Sequence, residues 1–119
     1  MVNASNQSLS RLDAEHLASV ARLFGMLSEP ARLQILQALE GGPMTVSELI
    51  EKTGLKQANL SRHLGLLFDA AVVTRTREGS FVRYAIAEPL VFDLCRLVCG
   101  KLHRDATRLA GTLRRAGVR

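Results

Sequence analysis

The feature that most constrains this chain is a short amphipathic stretch with a stop signal at each end. Thr45-Val46-Ser47-Glu48 reads as a capping box. The Thr45 hydroxyl can accept the backbone N–H three residues on, and Glu48 can reach back to the start. Thr53-Gly54 reads as the stop, because glycine adopts the left-handed conformation that ends a helix without strain. The helix between them is too short to be stable alone in water. It directs Val46, Leu49 and Ile50 inward. Leu55 follows as a buried turn residue. A further helix is predicted from about Gln57 to Asp69, with an apolar face of Leu60, Leu64 and Leu67. Two helices joined by a tight glycine turn form a helix-turn-helix unit, which needs neighbours to hold it.

The neighbours are legible. From Asp13 a helical stripe of Leu17, Val20, Ala21, Phe24 and Leu27 begins. Ser28 is placed to cap the next helix, with Pro30 tolerated in its first turn. That helix puts Ala31, Ile35 and Leu39 on one side, supported by Leu36, and Gly41-Gly42-Pro43 ends it. After Asp69 the period changes from helical to alternating. Val72–Arg77 and Phe81–Ile86 read as two strands around a Glu78-Gly79-Ser80 turn, with Val82, Tyr84 and Ile86 inward. Pro89 opens a final helix rich in Leu and Val, to about Leu113. The expectation is a mainly α fold with a small β-hairpin, in the order ααααββα: a dimeric winged helix-turn-helix. Residues 1–12 read as a disordered arm, 13–115 as one domain dimerising through its first and last helices, and 116–119 as a basic tail.

Charge is unevenly spread over the 119 residues, whose net charge is +5. Through residue 60 there are five Lys/Arg and six Asp/Glu (5 − 6 = −1); from residue 61 there are eleven and five (11 − 5 = +6). The excess follows the second helix of the unit, the hairpin and the last helix, and points to a polyanion such as DNA. The second helix offers Gln57, Asn59, Ser61, Arg62 and His63 to a major groove, with Lys56 at its start near phosphate. Arg75, Arg77 and Arg83 surround the Gly79 tip and suit a wing lying along phosphates or the minor groove. With no Trp and one Tyr, stacking recognition of single strands is poorly supported. No nucleophilic triad, phosphate-cradling loop or paired carboxylates occur at useful spacing, so an enzyme is not expected. The competing reading is a winged-helix module that docks proteins. The chain has neither a basic-then-apolar leader nor an apolar run of membrane-spanning length, and a cytoplasmic protein is expected.

Three stretches together resemble the ArsR/SmtB family of winged-helix repressors. They are Leu27-Ser28-Glu29-Pro30-Ala31-Arg32-Leu33-Gln34-Ile35-Leu36, Leu60-Ser61-Arg62-His63-Leu64 and Arg77-Glu78-Gly79-Ser80-Phe81-Val82-Arg83-Tyr84. The resemblance covers residues 23–102. It implies a homodimer packed through the first and last helices, recognition of an imperfect inverted repeat in duplex DNA by the fourth helix, and repression relieved by a ligand or by thiol chemistry. Two positions depart from the pattern. Ala71 stands where the family often has Gly, so a slightly altered turn is expected. Phe68 stands where a polar residue is usual, as an exposed or locally packed hydrophobe.

The family's metal sites are incomplete here. Thr45 and Ser47 occupy the positions of the cysteine pair of the soft-metal sensors, and hydroxyls are poor substitutes for thiolates. At the last-helix zinc site Asp93 and Cys95 match the first pair of ligand positions, but Ala106 and Leu109 fall at the second and cannot ligate. A zinc or nickel sensor of the usual kind is therefore not expected, and no cofactor is required. Cys95 and Cys99 lie one turn apart on one helix face. They are either small apolar residues in a helix interface, or sensor thiols for an oxidant or an arsenite-like soft ion, with Arg96, Lys101 and Arg104 nearby. Arsenite would need a third ligand from elsewhere. His16 and His103 read as ordinary surface or interface residues.

Overall fold

The computed structural model describes residues 9–117. Packing divides the chain into two compact units, one ending at Ala87 and one beginning at Glu88, where the sequence suggests a single domain. The expected arm at residues 1–12 lies largely outside the described residues, but Leu9–Arg11 form a single 3-10 turn. Of the basic tail, 118–119 also lie outside them.

In the first unit, α1 (Ala14–Met26) starts at Asp13, whose carboxylate accepts the His16 backbone N–H at 2.8 Å. That bond, with one to the His16 ring, holds the Asp13 carboxyl below its ordinary pKa. α2 (Pro30–Leu39) begins one residue later than Ser28 would place it. Glu29 holds the cap position in an extended conformation without a side-chain bond. The Ser28 hydroxyl instead donates back to the Gly25 carbonyl at 2.6 Å, closing α1 rather than capping α2. Pro30 loses no bond at the first helical position.

The capping box of α3 (Val46–Thr53) is formed in both directions. Glu48 N–H donates to the Thr45 hydroxyl at 3.2 Å, and Thr45 N–H to the Glu48 carboxylate at 3.0 Å. Gly54 ends the helix at φ 73°. α4 (Gln57–Asp69) then buries Leu60, Leu64 and Leu67 completely. They meet Ile35, Leu36, Ala38 and Leu39 of α2 and Leu49 of α3, the core of this unit. Val46 and Ile50, expected inside with Leu49, are half-buried.

The end of α4 answers the question raised by Ala71. Its backbone keeps the left-handed conformation, φ 59°, although it is not glycine. Ala71 N–H donates to the Phe68 carbonyl and Val72 N–H to the Leu67 carbonyl, each at 3.0 Å. This is the Schellman closure, with buried Val72 and Leu67 as its apolar contact. The turn is therefore unaltered, contrary to the expectation, and the alanine carries the strain.

Two strands of the hairpin, β2 (Val73–Glu78) and β3 (Phe81–Ile86), pair antiparallel with Glu78 opposite Phe81. Gly79, at φ 62°, opens the two-residue turn. A third strand, β1 (Met44–Thr45), adds to the other edge of β3 with Met44 opposite Tyr84, so the order is β1-β3-β2. The sequence reading had only the hairpin. Val82, Tyr84 and Ile86 are half-buried, as are Arg83 and Ala85, so burial does not alternate as expected.

The second unit is one helix, α5 (Leu90–Arg115). Its 26 residues run about 39 Å. No helix among the described residues is long and apolar enough to cross a membrane.

Candidate nucleic-acid interface

A helix can present its side chains to a groove only if its other face is anchored. Here the Gly54 elbow and three buried leucines anchor α4, and Lys56, Gln57, Asn59, Ser61 and Arg62 are exposed along it. Gln57 and Ser61 line a cleft with Ser47 of α3 and Ser80 and Phe81 of the hairpin turn. The start of α4 and the tip of the wing therefore share one side of this unit. Phe81 is 62% exposed there, a large apolar ring that sequence reasoning passed over.

His63 does not belong to that face. It is 3% exposed, which overturns its expected role as a groove or phosphate contact. Its position is three residues from Leu60 and four from Leu67, on the apolar stripe. The ring accepts a hydrogen bond at Nδ1 from Arg32 Nε at 3.2 Å. Burial, then the Arg62 and Arg32 guanidinium groups, push its pKa below 6.5, with Glu29 opposing. Arg32, named above only within the family-like stretch, has no site role in the sequence reading. Its partner lies 31 residues away and leaves no local signal.

The three wing arginines have separate surroundings. Directly opposite residues on antiparallel strands share a face. Arg75 and Arg77, opposite Tyr84 and Val82, are on one face of the sheet; Arg83, opposite Thr76, is on the other. The Arg75 guanidinium lies 4.0 Å over the Phe68 ring, a cation–π contact that gives the unusual phenylalanine a local role. Arg83 donates to Glu78 at 3.1 Å and to Glu48 at 3.5 Å. Glu48 is held below its ordinary pKa first by the Thr45 N–H and hydroxyl, and then by Arg83. Arg77 is exposed, and no ion pair forms on it among the described residues.

Cys95 is half-buried and Cys99 exposed, both as free thiols. Arg96 pairs with Asp93, and Lys101 with Asp105, so two of the three cations expected near the thiols are engaged by carboxylates of their own helix. Among the described residues no group of three or more His, Cys, Asp or Glu converges to hold a metal.

A glycine-elbowed helix pair, an exposed polar helix and a three-stranded wing define a winged helix-turn-helix DNA-binding protein. The family of helix-turn-helix domains matches residues 27–76. The "Probable mercury resistance operon repressor" of Streptomyces lividans is 34% identical over 94 residues, covering 79% of this chain and 75% of that protein. The crystal structure of Rv0081 from Mycobacterium tuberculosis superposes with a TM-score of 0.72 at 32% identity, covering 83% of this chain and 99% of that one. A solution structure of Mb0332 from Mycobacterium bovis, a homodimeric winged helix-turn-helix domain described as "a possible ArsR-family transcriptional regulator", matches with a TM-score of 0.68 at 30% identity. It covers 83% of this chain and 93% of that one. The chain belongs to the ArsR/SmtB family of winged helix-turn-helix transcriptional repressors. These relatives are regulators of transcription, not enzymes.

Proposed function

We propose that two copies of this chain grip an inverted repeat in duplex DNA, each placing α4 in a major groove, and that chemistry at Cys95 and Cys99 releases them. The observation that carries the reading is the exposed row Gln57, Asn59, Ser61 and Arg62, on a helix whose opposite face is fully buried. Gln57 and Asn59 suit adenine edges, Arg62 suits guanine or phosphate, and Lys56 suits the backbone. In the wing Arg77 is the cation best placed for phosphate. Arg75 reaches it only from its stack on Phe68, and Arg83 only by leaving Glu48 and Glu78.

Dimerisation rests on apolar surface that each unit leaves uncovered. On α5, Val98, Leu102, Leu109 and Leu113 recur at helical spacing and are exposed; on α1, Leu17 and Phe24 are exposed. A second copy is the occupant favoured by the homodimeric relative. Cys95 falls three residues before Val98 and seven before Leu102, beside that stripe. A soft ion or an oxidant taken up there changes the surface that the second copy covers. The mercury-resistance name of one relative supports a thiophilic ion as inducer. Such a repressor acts in the cytoplasm, where the DNA lies.

The test starts from a duplex selected from random sequence by the protein. Affinity falls steeply with salt, by about 0.9 log units per log unit of salt for each phosphate neutralised. Cys95→Ser and Cys99→Ser keep that affinity and lose release by mercuric ion or peroxide. Binding insensitive to salt contradicts the DNA reading. Release unchanged in both variants contradicts the thiol reading.

A further inference from the structure

Arg32 occupies an unusual junction. Its NH1 donates to the Met26 carbonyl at 3.2 Å, at the end of α1, and to the Gly25 carbonyl at 3.3 Å, which also accepts the Ser28 N–H and hydroxyl. Its Nε donates to His63 Nδ1. One guanidinium thus ties the end of α1 to the buried face of the helix read as the DNA contact. Arg32 and Arg62 can only donate and a neutral ring accepts at one nitrogen; taking the shorter contact, Arg32 Nε to Nδ1, as the bond puts the ring proton on Nε2. The Arg62 guanidinium lies 3.4 Å from that nitrogen. In that tautomer the contact sets donor against donor.

We propose that Arg32 is a positioning residue for DNA binding: it holds α4 in place through neutral His63, and protonation of that ring loosens the grip. The inference rests on the repressor reading above. The charged groups facing His63 are Arg62 on α4, Arg32 on α2 and Glu29 at the cap of α2. A protonated ring puts an N–H against Arg32 Nε, losing the bond, and adds a third positive charge against a single carboxylate. The depressed pKa agrees in sign. The folded joint favours the neutral ring, so its contribution is present above pH 6.5 and is lost as pH falls from there through the folded value.

Three measurements decide it. Imidazole nitrogen shifts of the free protein at neutral pH should report the neutral Nε2–H tautomer. Arg32→Lys keeps the charge but cannot serve all three acceptors. It should weaken binding to the selected duplex by about fivefold or more at neutral pH, and speed hydrogen exchange in α4. His63→Asn offers an amide oxygen in the place of Nδ1. Whatever its affinity at neutral pH, it should lack the further loss of affinity that the unaltered protein shows as pH falls. The proposal is overturned if Arg32→Lys binds and exchanges like the unaltered protein, or if His63→Asn follows the same pH profile. If no duplex is selected at all, the repressor reading fails instead. The nitrogen shifts and α4 exchange then still decide whether Arg32 holds His63.

Discussion

The recognition helix and the wing carry comparable positive charge in the sequence and use it differently in the fold. In α4, the buried face is apolar apart from His63, and Lys56 and Arg62 are left at the exposed surface. In the wing, Arg83 is spent on two carboxylates and Arg75 lies over Phe68, so only Arg77 is without a recorded protein partner among them. A count of basic residues locates a polyanion surface, but packing decides which cations remain available to it. On the proposed reading, specificity belongs to α4, and the wing contributes a small, sequence-independent share.

That contrast can be broken in graded ways. Leu64→Ala empties a fully buried site beneath α4 and should lower stability by about 2–5 kcal/mol in thermal or urea unfolding. A loss under 1 kcal/mol would mean that α4 is not anchored as described. Arg62→Ala should weaken the selected duplex by about 1–3 kcal/mol, about fivefold to 150-fold, with unfolding unchanged. Ala71→Gly should stabilise by about 1 kcal/mol, because the left-handed turn then carries no Cβ strain. Arg77→Ala should cost a few-fold in affinity and reduce the salt slope by about one phosphate. Arg83→Ala should leave affinity nearly unaltered, since its guanidinium is already bound. Equal losses at Arg77 and Arg83 would erase the distinction drawn within the wing.

The parts of the fold that were legible in the sequence are those set by local chemistry. Both ends of α3 follow from the Thr45 capping box and Gly54, which act within four residues. The exposed row on α4 follows from the spacing of Leu60, Leu64 and Leu67. Elements set by distant partners were not legible. β1 has two residues, too few to show alternation, and exists because β3 offers it an edge. Ser28 looks like a cap but is taken by the Gly25 carbonyl. His63 is polar, so it was assigned to the solvent face, although its spacing puts it with the leucines. Its burial is made tolerable by Arg32, 31 residues earlier. Half of the Arg83 pairing is equally hidden: Glu78 is a hairpin neighbour, but Glu48 lies 35 residues away.

The most direct test is the DNA sequence this chain selects from a random duplex pool. Two copies, each inserting α4 into a major groove on one side of the duplex, predict an inverted repeat. Its half-site centres should lie about one helical turn apart, ~34 Å or 10–10.5 base pairs, or a multiple of that. Recovery of an unpaired half-site, or no enrichment at low salt, would contradict the account.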